Sequence, residues 1–368
     1  MKTTSKILFA ISSLIFLLSS AFSTPTTHAQ TTEIPNTIEA EGQVVRVREE
    51  NLASADPYQI IDVRVTSDGA FEERVFTIDS RESLLEGVRH SVSKGERVKL
   101  MIVEVPEQEP IVYVTDIIRL RPLLWLFVLF VFVILAVGWW QGVTSLLGLG
   151  ATLLIVFGFI LPQLLAGRSP LAVTLIGSAL LLCIAVFGTH GIRRESVAAF
   201  GATLLGIFAT GIFAWLFTLA ARLSGLGGED AAVLQLSTDA TIDFQGLLLS
   251  GIVLGAVGVL DDVAVNQAET VFELKRTDPS LSRRELSERA LRIGRHHIAS
   301  VVNTLVLVYA GASLPLLMLF QTSGQPASEL LNAEFLAEEI VRTLVGTIGL
   351  ILTVPLATWF ASAYATKK

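Results

Sequence analysis

The chain has 368 residues, 52% hydrophobic and 17% charged, with 34 acidic against 27 basic side chains and a net charge of −7; its mean hydropathy is +0.62. Water-soluble proteins of this length carry more charge, so the composition points to a bilayer. No aromatic-rich basic surface accompanies the few arginine clusters, which excludes a nucleic-acid partner, and the lone Cys183 excludes an intrachain disulfide and a cysteine zinc site.

At the start of the chain, Lys2 and Lys6 precede an apolar run from Ile7 to Leu18, then small residues and a Ser/Thr-rich stretch ending near Ala29. The layout predicts a signal peptide over 1–29, because the apolar run is shorter than the ~18–20 residues a span needs. An uncleaved first span is the alternative. Either way the next segment lies outside the cytoplasm.

Residues 30–120 read as an extracytoplasmic β-domain. Apolar residues alternate with polar ones in 43–47, 60–65, 74–78, 97–103 and 111–114, so each run buries one face and wets the other. Turn signals at Ser67-Asp68-Gly69 and Lys94-Gly95-Glu96 separate them. Short antiparallel strands in this number predict a small barrel or curled sheet, with an OB-like barrel as one closed solution, acting as a cap or as a binding module for an envelope partner.

Residues 121–368 predict a polytopic helical domain with about seven spans, at 123–141, 143–165, 170–189, 196–221, 244–263, 298–320 and 340–363. Leu161-Pro162 near the outer end of the second span is matched by Leu314-Pro315 in the sixth, a weak internal echo of the kind found in transporters built from repeats with interrupted helices. Basic residues gather in alternate loops, at Arg193 and Arg194, between Lys275 and Arg295, and at Lys367 and Lys368, while acids such as Glu229, Asp243, Glu334 and Glu338 crowd the others. The Lys/Arg bias places the C-terminus in the cytoplasm. Arg119 and Arg121 run against it.

In the fifth span Gly251 and Gly255 form a Gly-x-x-x-Gly step, with Gly258 and Asp262 on the same face, predicting a close helix contact that runs into a polar stripe through Asn266 and Glu269. The basic connection 264–297 should be ordered. Asp278-Pro279 ends the helix, and Ser282 with Glu285 forms a capping box for a new one leading into the sixth span. Its arginines suit anionic lipids of the inner leaflet.

Two spans thus bring polar groups toward one leaflet: Asp261, Asp262, Asn266, Gln267 and Glu269 from the fifth, His296, Asn303 and Thr304 from the sixth. Carboxylates beside carboxamides and hydroxyls make an oxygen-rich site for a cation or small polar solute. Asp261 lies ~25 Å along the helix from Phe244 in a ~30 Å core, which puts it near the inner interface. Adjacent carboxylates on one helix diverge by ~100°, so an aspartyl hydrolase is excluded. No nucleotide loop, nucleophile elbow or zinc-protease signature occurs, so no enzyme, cofactor or metal site is expected.

The blocks Gly258 to Leu274, Arg292 to Gly311 and Leu314 to Leu317 resemble the YibE/F-like multispan bacterial membrane proteins, over about 123–363. The resemblance implies a polytopic protein of the bacterial plasma membrane. It maps the family's fifth-span Asp onto Asp262 and its Asn-Thr pair onto Asn303 and Thr304. Two functions are expected: a transporter or permease using the fifth-span carboxylates, or a receptor or scaffold whose outer β-domain binds an envelope protein.

Overall fold

Five antiparallel strands form one sheet: β1 (Thr37–Glu50), β2 (Tyr58–Val65), β3 (Val75–Asp79), β4 (Arg97–Val103) and β5 (Ile111–Ile117), in the order β3-β2-β1-β4-β5. The computed structural model describes residues 37–50, 58–79, 92–105, 108–238, 242–324 and 326–367; the expected signal peptide lies outside them. Alternate residues such as Val63, Val98, Leu100 and Ile102 are almost completely buried, as the period-two pattern requires. The sheet curls sharply where β1 passes between its neighbours. A Cβ on Gly42 would stand 2.5 Å from Val63 Cγ1 and 2.8 Å from Leu100 Cδ1, so only glycine admits the approach. Register shifts at Val44/Arg46 and Lys99/Leu100 add local twist. Of the two expected forms the curled sheet is the one found, and the closed OB-like barrel is corrected to a half-barrel: edge strands β3 and β5 approach, but among the described residues no ladder joins them.

The helical part begins with α1 (Leu120–Ile155), which a π turn at Val156–Ile160 joins to α2 (Leu161–Leu165). It continues through α3 (Pro170–His190), α4 (Arg194–Ala220), α5 (Glu229–Ser237), α6 (Phe244–Thr277), α7 (Arg283–Ala312), α8 (Leu314–Thr322), α9 (Ala327–Asn332) and α10 (Glu334–Ala365). Both Leu-Pro pairs open a new helix, at α2 and α8.

Among the described residues, five segments are long and apolar enough to cross a membrane, or six if α7 and α8, bent by 68°, make one span. The chain is a multi-pass membrane protein by helix length and hydropathy. The sequence led us to expect seven, and the difference lies in the first segment. Its 46 residues, Leu120–Leu165, extend ~69 Å at ~1.5 Å per residue, about twice a ~30 Å hydrocarbon core. Helical geometry fails within it at Trp139 (φ 47°, ψ −124°), three residues before the break expected at 142.

Helices α4, α6 and α10 form the centre of the bundle, with α3 against α6 and α7 against α10. Small residues set the spacing. Ala198, Ala199 and Ala202 of α4 meet Ala264 and Ala268 of α6 and Ala357 and Ala361 of α10 in one buried cluster. Between α4 and α10 the contact is reciprocal: a Cβ on Gly206 would lie 2.2 Å from Thr353 Oγ1, and one on Gly349 would lie 2.0 Å from Thr210 Oγ1. Each threonine hydroxyl donates back to the glycine carbonyl of its own helix, Thr210 to Gly206 and Thr353 to Gly349, both at 2.8 Å. No polar group is stranded while the side chains fill the facing gaps.

The turn between α6 and α7 follows the sequence reading. The Asp278 carboxylate accepts from the Ser280 hydroxyl and from its amide at 3.1 Å, Lys275 Nζ donates to the Pro279 and Leu281 carbonyls at 2.7 Å, and Ser282 with Glu285 completes the capping box. The Ser280 hydrogen bonds, then the charges of Arg289 and Lys275, hold the Asp278 carboxyl below its ordinary value. A depressed carboxyl stabilises the turn above its unfolded pKa and loses that contribution as pH falls through the folded one. Amide-exchange protection of 278–281, corrected for intrinsic rates, should therefore fall below about pH 4, near an ordinary Asp pKa. Asp278→Ala should show the loss already at pH 7.

Candidate functional site

Helix α6 starts at Asp243, whose side chain accepts from the Gly246 amide at 2.9 Å, and runs 34 residues without interruption, fourteen beyond the end expected at 263. Burial along it is two-sided. Val253, Ala256, Val257, Leu260, Val263 and Ala264 are buried, while Gly251, Gly255, Gly258, Asp262, Asn266, Glu269 and Glu273 are exposed on one stripe. The glycine contact expected from the sequence is corrected here: nothing within the chain lies within 4 Å of a Cβ built on Gly251, Gly255 or Gly258. The close approaches occur on the opposite face, where alanines serve.

At the end of that stripe lies a cleft of about 960 Å³. Asn266, Glu269, Thr270, Glu273 and Arg276 line it from α6, Thr189 from α3, Arg193, Glu195 and Ser196 from the start of α4, with Gln141 and Ile293 also on its wall. Arg276 crosses it, pairing closely with Glu195 and with Glu273 at 3.2 Å, and so ties α6 to α4. Glu195 is reached because the chain turns between α3 and α4 at Gly191, whose φ of 72° favours glycine.

The sequence-derived candidates separate. Asn266 and Glu269 line the cleft. Asp262 stands one turn before Asn266, whose Nδ2 donates to the Asp262 carboxylate at 3.1 Å and to its carbonyl at 2.9 Å. Asp261 turns toward another side: it is half-buried, and its Oδ1 is enclosed with no hydrogen-bond partner. Leu254, two turns earlier on that side, packs on the α3 cluster. The two carboxylates therefore diverge, as expected from their adjacency.

Gln267 is placed inside the protein instead. At 4% exposure, its Nε2 donates to the Ala290 carbonyl of α7 at 3.0 Å and to Thr358 Oγ1 of α10 at 2.7 Å. Opposite it, Gly294 leaves no room: a Cβ there would lie 2.6 Å from Val354 and 2.8 Å from Gln267 Oε1. His296, Asn303 and Thr304 are exposed and do not line the cleft; Thr304 donates to the Ser300 carbonyl at 3.0 Å. From α7, Ile293 reaches it, and His297 is the half-buried histidine, with Nε2 enclosed and unpartnered.

Residues passed over in the sequence prove important here. In the sequence Arg193 and Arg276 read only as loop charges, Glu195 carries no signal, and no local motif pairs residues 81 positions apart. At the other end of the bundle Glu334 and Glu338, read as outer-loop acids, accept from the Ser224 and Gly227 amides, the latter at 3.1 Å. Among the described residues no group of three or more His, Cys, Asp or Glu is arranged to hold a metal ion.

Neither a curated protein nor a solved structure matches the chain. A family model described as YibE/F-like protein matches residues 126–367, which cover α6, the cleft and the whole α7–α8 segment. By that match, over well more than half of its length, the chain belongs to the YibE/F-like family.

Proposed function

We propose that this protein is a carrier of a small cation or polar solute, without enzymatic turnover, and that the cleft at the end of α6 is its binding site. The observation carrying this reading is the cleft's composition: three carboxylates, Glu195, Glu269 and Glu273, face two guanidiniums, Arg193 and Arg276, beside the neutral oxygens of Asn266 and Thr270. The excess of one negative charge and the hard oxygen donors favour a cation or a zwitterion. Arg276, bridging α6 and α4, is the ion pair that a bound cation displaces. In this reading Leu120–Leu165 crosses twice, about Trp139, giving seven spans with α7–α8 as one. The β-domain lies outside the bacterial plasma membrane after a signal peptide. The arginine-rich start of α7 lies on anionic lipids of the inner leaflet, where the Lys/Arg bias also places the cleft.

Protein reconstituted in liposomes should give transient currents on jumps of cation or solute concentration, recorded on a solid-supported membrane. Glu269→Gln should reduce them about tenfold or more, as expected for loss of one charged contact, and Asp262→Asn should reduce them less. A wild type silent to monovalent cations, divalent cations and amino acids alike would sink the carrier reading.

One observation favours a second reading. The half-barrel carries its own cleft of about 430 Å³, lined by Glu39, Glu41, Ser67, Lys99 and Asp116, a polar surface suited to an envelope partner. Deleting residues 31–119 separates the two: function lost with the helical bundle intact favours a receptor or scaffold, whereas retained transport favours the carrier.

A further inference from the structure

Helices α3 and α6 run parallel and in register. A Cβ on Gly246 would lie 3.1 Å from Pro170 Cδ; further along, Leu254 packs with Val173 and Leu181 in one cluster, and Val257 and Leu260 pack with Leu175 and Leu182 in the next. Asp261 continues this side of α6, two turns past Leu254, level with the turn of α3 at Ala185. Thr174, Ser178 and Ala185 recur at helical spacing, so they share the α3 face that lies between the two clusters and turns to α6.

This seam is where the protein leaves oxygens without partners. Thr174 and Ser178 are 1% and 0% exposed, and their hydroxyls, like the enclosed Oδ1 of Asp261, have no hydrogen-bond partner among the described residues. Asp262, by contrast, turns to the exposed stripe and accepts from Asn266. A carboxylate withdrawn from water without a partner bears the desolvation cost of its charge, and carboxylates so placed in spanning segments mark ion or proton routes. A metal ion does not suit it: hard cations take six or more oxygens, and the Ser178 hydroxyl stands two turns away. A proton needs one oxygen.

The charges around Asp261 leave it to itself. Between Arg121 and Arg168 the sequence has no titratable side chain, α3 offers Cys183 and its terminal His190, and α10 has none between Arg342 and Tyr364. Arg193, Arg194 and Glu195 start α4, and Arg295, His296 and His297 lie on α7. Among the described residues Asp261 forms a hydrogen bond or ion pair with none of these.

Resting on the carrier reading above, we propose that Asp261 binds the proton that drives transport. The proton enters from the end of the seam at Pro170 and Gly246, passes Thr174 and Ser178, is held by Oδ1 and leaves across the neighbouring Asp262 stripe toward the cleft. Infrared difference spectra of the full-length protein in lipid, recorded against pH, test the site without any need for transport. They should show a protonated-carboxyl band above about pH 5, where ordinary carboxyl groups of pKa ~4 are ionised, and the band should shift when the aspartate carboxyl carbon is isotopically labelled. It should persist in Asp262→Asn and vanish in Asp261→Asn. Asp261→Glu, which keeps a carboxyl group, should keep the band but lose its response to the label, and so serves if Asp261→Asn misfolds. On a solid-supported membrane, an imposed pH gradient should enlarge the wild-type currents evoked by cation and amino-acid jumps severalfold, leave those of Asp261→Asn unchanged, and act more slowly in Ser178→Ala. No such band in wild type, a band untouched by Asp261→Asn, or equal enlargement of wild-type and Asp261→Asn currents would each overturn the proposal. A wild type that shows the band yet is silent to every jump would sink the carrier reading and leave the proton site supported.

Discussion

Replacing Gly349 by alanine should lower the thermal stability of the detergent-purified protein, and replacing it by leucine should prevent the bundle from assembling. The added Cβ would sit 2.0 Å from Thr210 Oγ1, far inside van der Waals contact, and the threonine cannot swing away without giving up its 2.8 Å hydrogen bond to the Gly206 carbonyl. Overpacking of this kind costs ~1–3 kcal/mol, more than the ~1 kcal/mol of helix propensity that alanine returns. Gly206→Ala should behave alike, since its Cβ would lie 2.2 Å from Thr353 Oγ1. Thr210→Ala should relieve part of the Gly349→Ala defect, a coupling of ~0.5–3 kcal/mol for residues in contact. Gly251→Ala and Gly255→Ala, which meet nothing, are the controls and should leave the melting temperature within a degree or two of wild type, the scale of surface substitutions. Fluorescence-detected size exclusion after heating reads every variant; equal destabilisation at Gly251 and Gly349 would contradict the packing described here.

The second large effect is expected at Gln267. If its amide ties α6 to α7 and α10, Gln267→Ala should destabilise by ~2–4 kcal/mol, through a cavity in a buried three-helix junction and lost hydrogen bonds. The shape-conserving Gln267→Leu should cost less, because the Thr358 hydroxyl keeps its 2.8 Å bond to the Val354 carbonyl. Currents per folded molecule should stay near wild type in Gln267→Leu. Loss of current with unchanged melting behaviour would instead make Gln267 a ligand contact.

Legibility in the sequence followed the range of the interactions. The strands declared themselves through alternation, and the turn at Asp278-Pro279 and the Ser282/Glu285 capping box were readable because their partners lie within four residues. The Trp139 break came within three residues of its expected place. The glycine step failed for a physical reason: Gly-x-x-x-Gly states that a helix offers a smooth face, not that a neighbour occupies it. The face α6 does bury is built of alanine and valine, and the tight glycine contacts belong to Gly206 and Gly349, each half of a pair whose other half is a distant threonine. The candidate site divided similarly. Asn266 and Glu269 share a stripe that helical spacing reveals, whereas Gln267, one residue on from Asn266, turns inward, and His296 and Asn303 turn outward on α7.

By itself the sequence determined the membrane class, the division into an N-terminal all-β part and a longer helical part, the polarity of each stretch and the family, because hydropathy and short-range hydrogen bonding act within a few residues. Only the tertiary structure decided which face of α6 is covered, that Arg276 meets Glu195 from 81 residues away, that the half-barrel stays open, and that Gln267 joins α6 to α7 and α10. Each of these depends on two helices or strands arriving at the same depth and rotation, which no local pattern encodes.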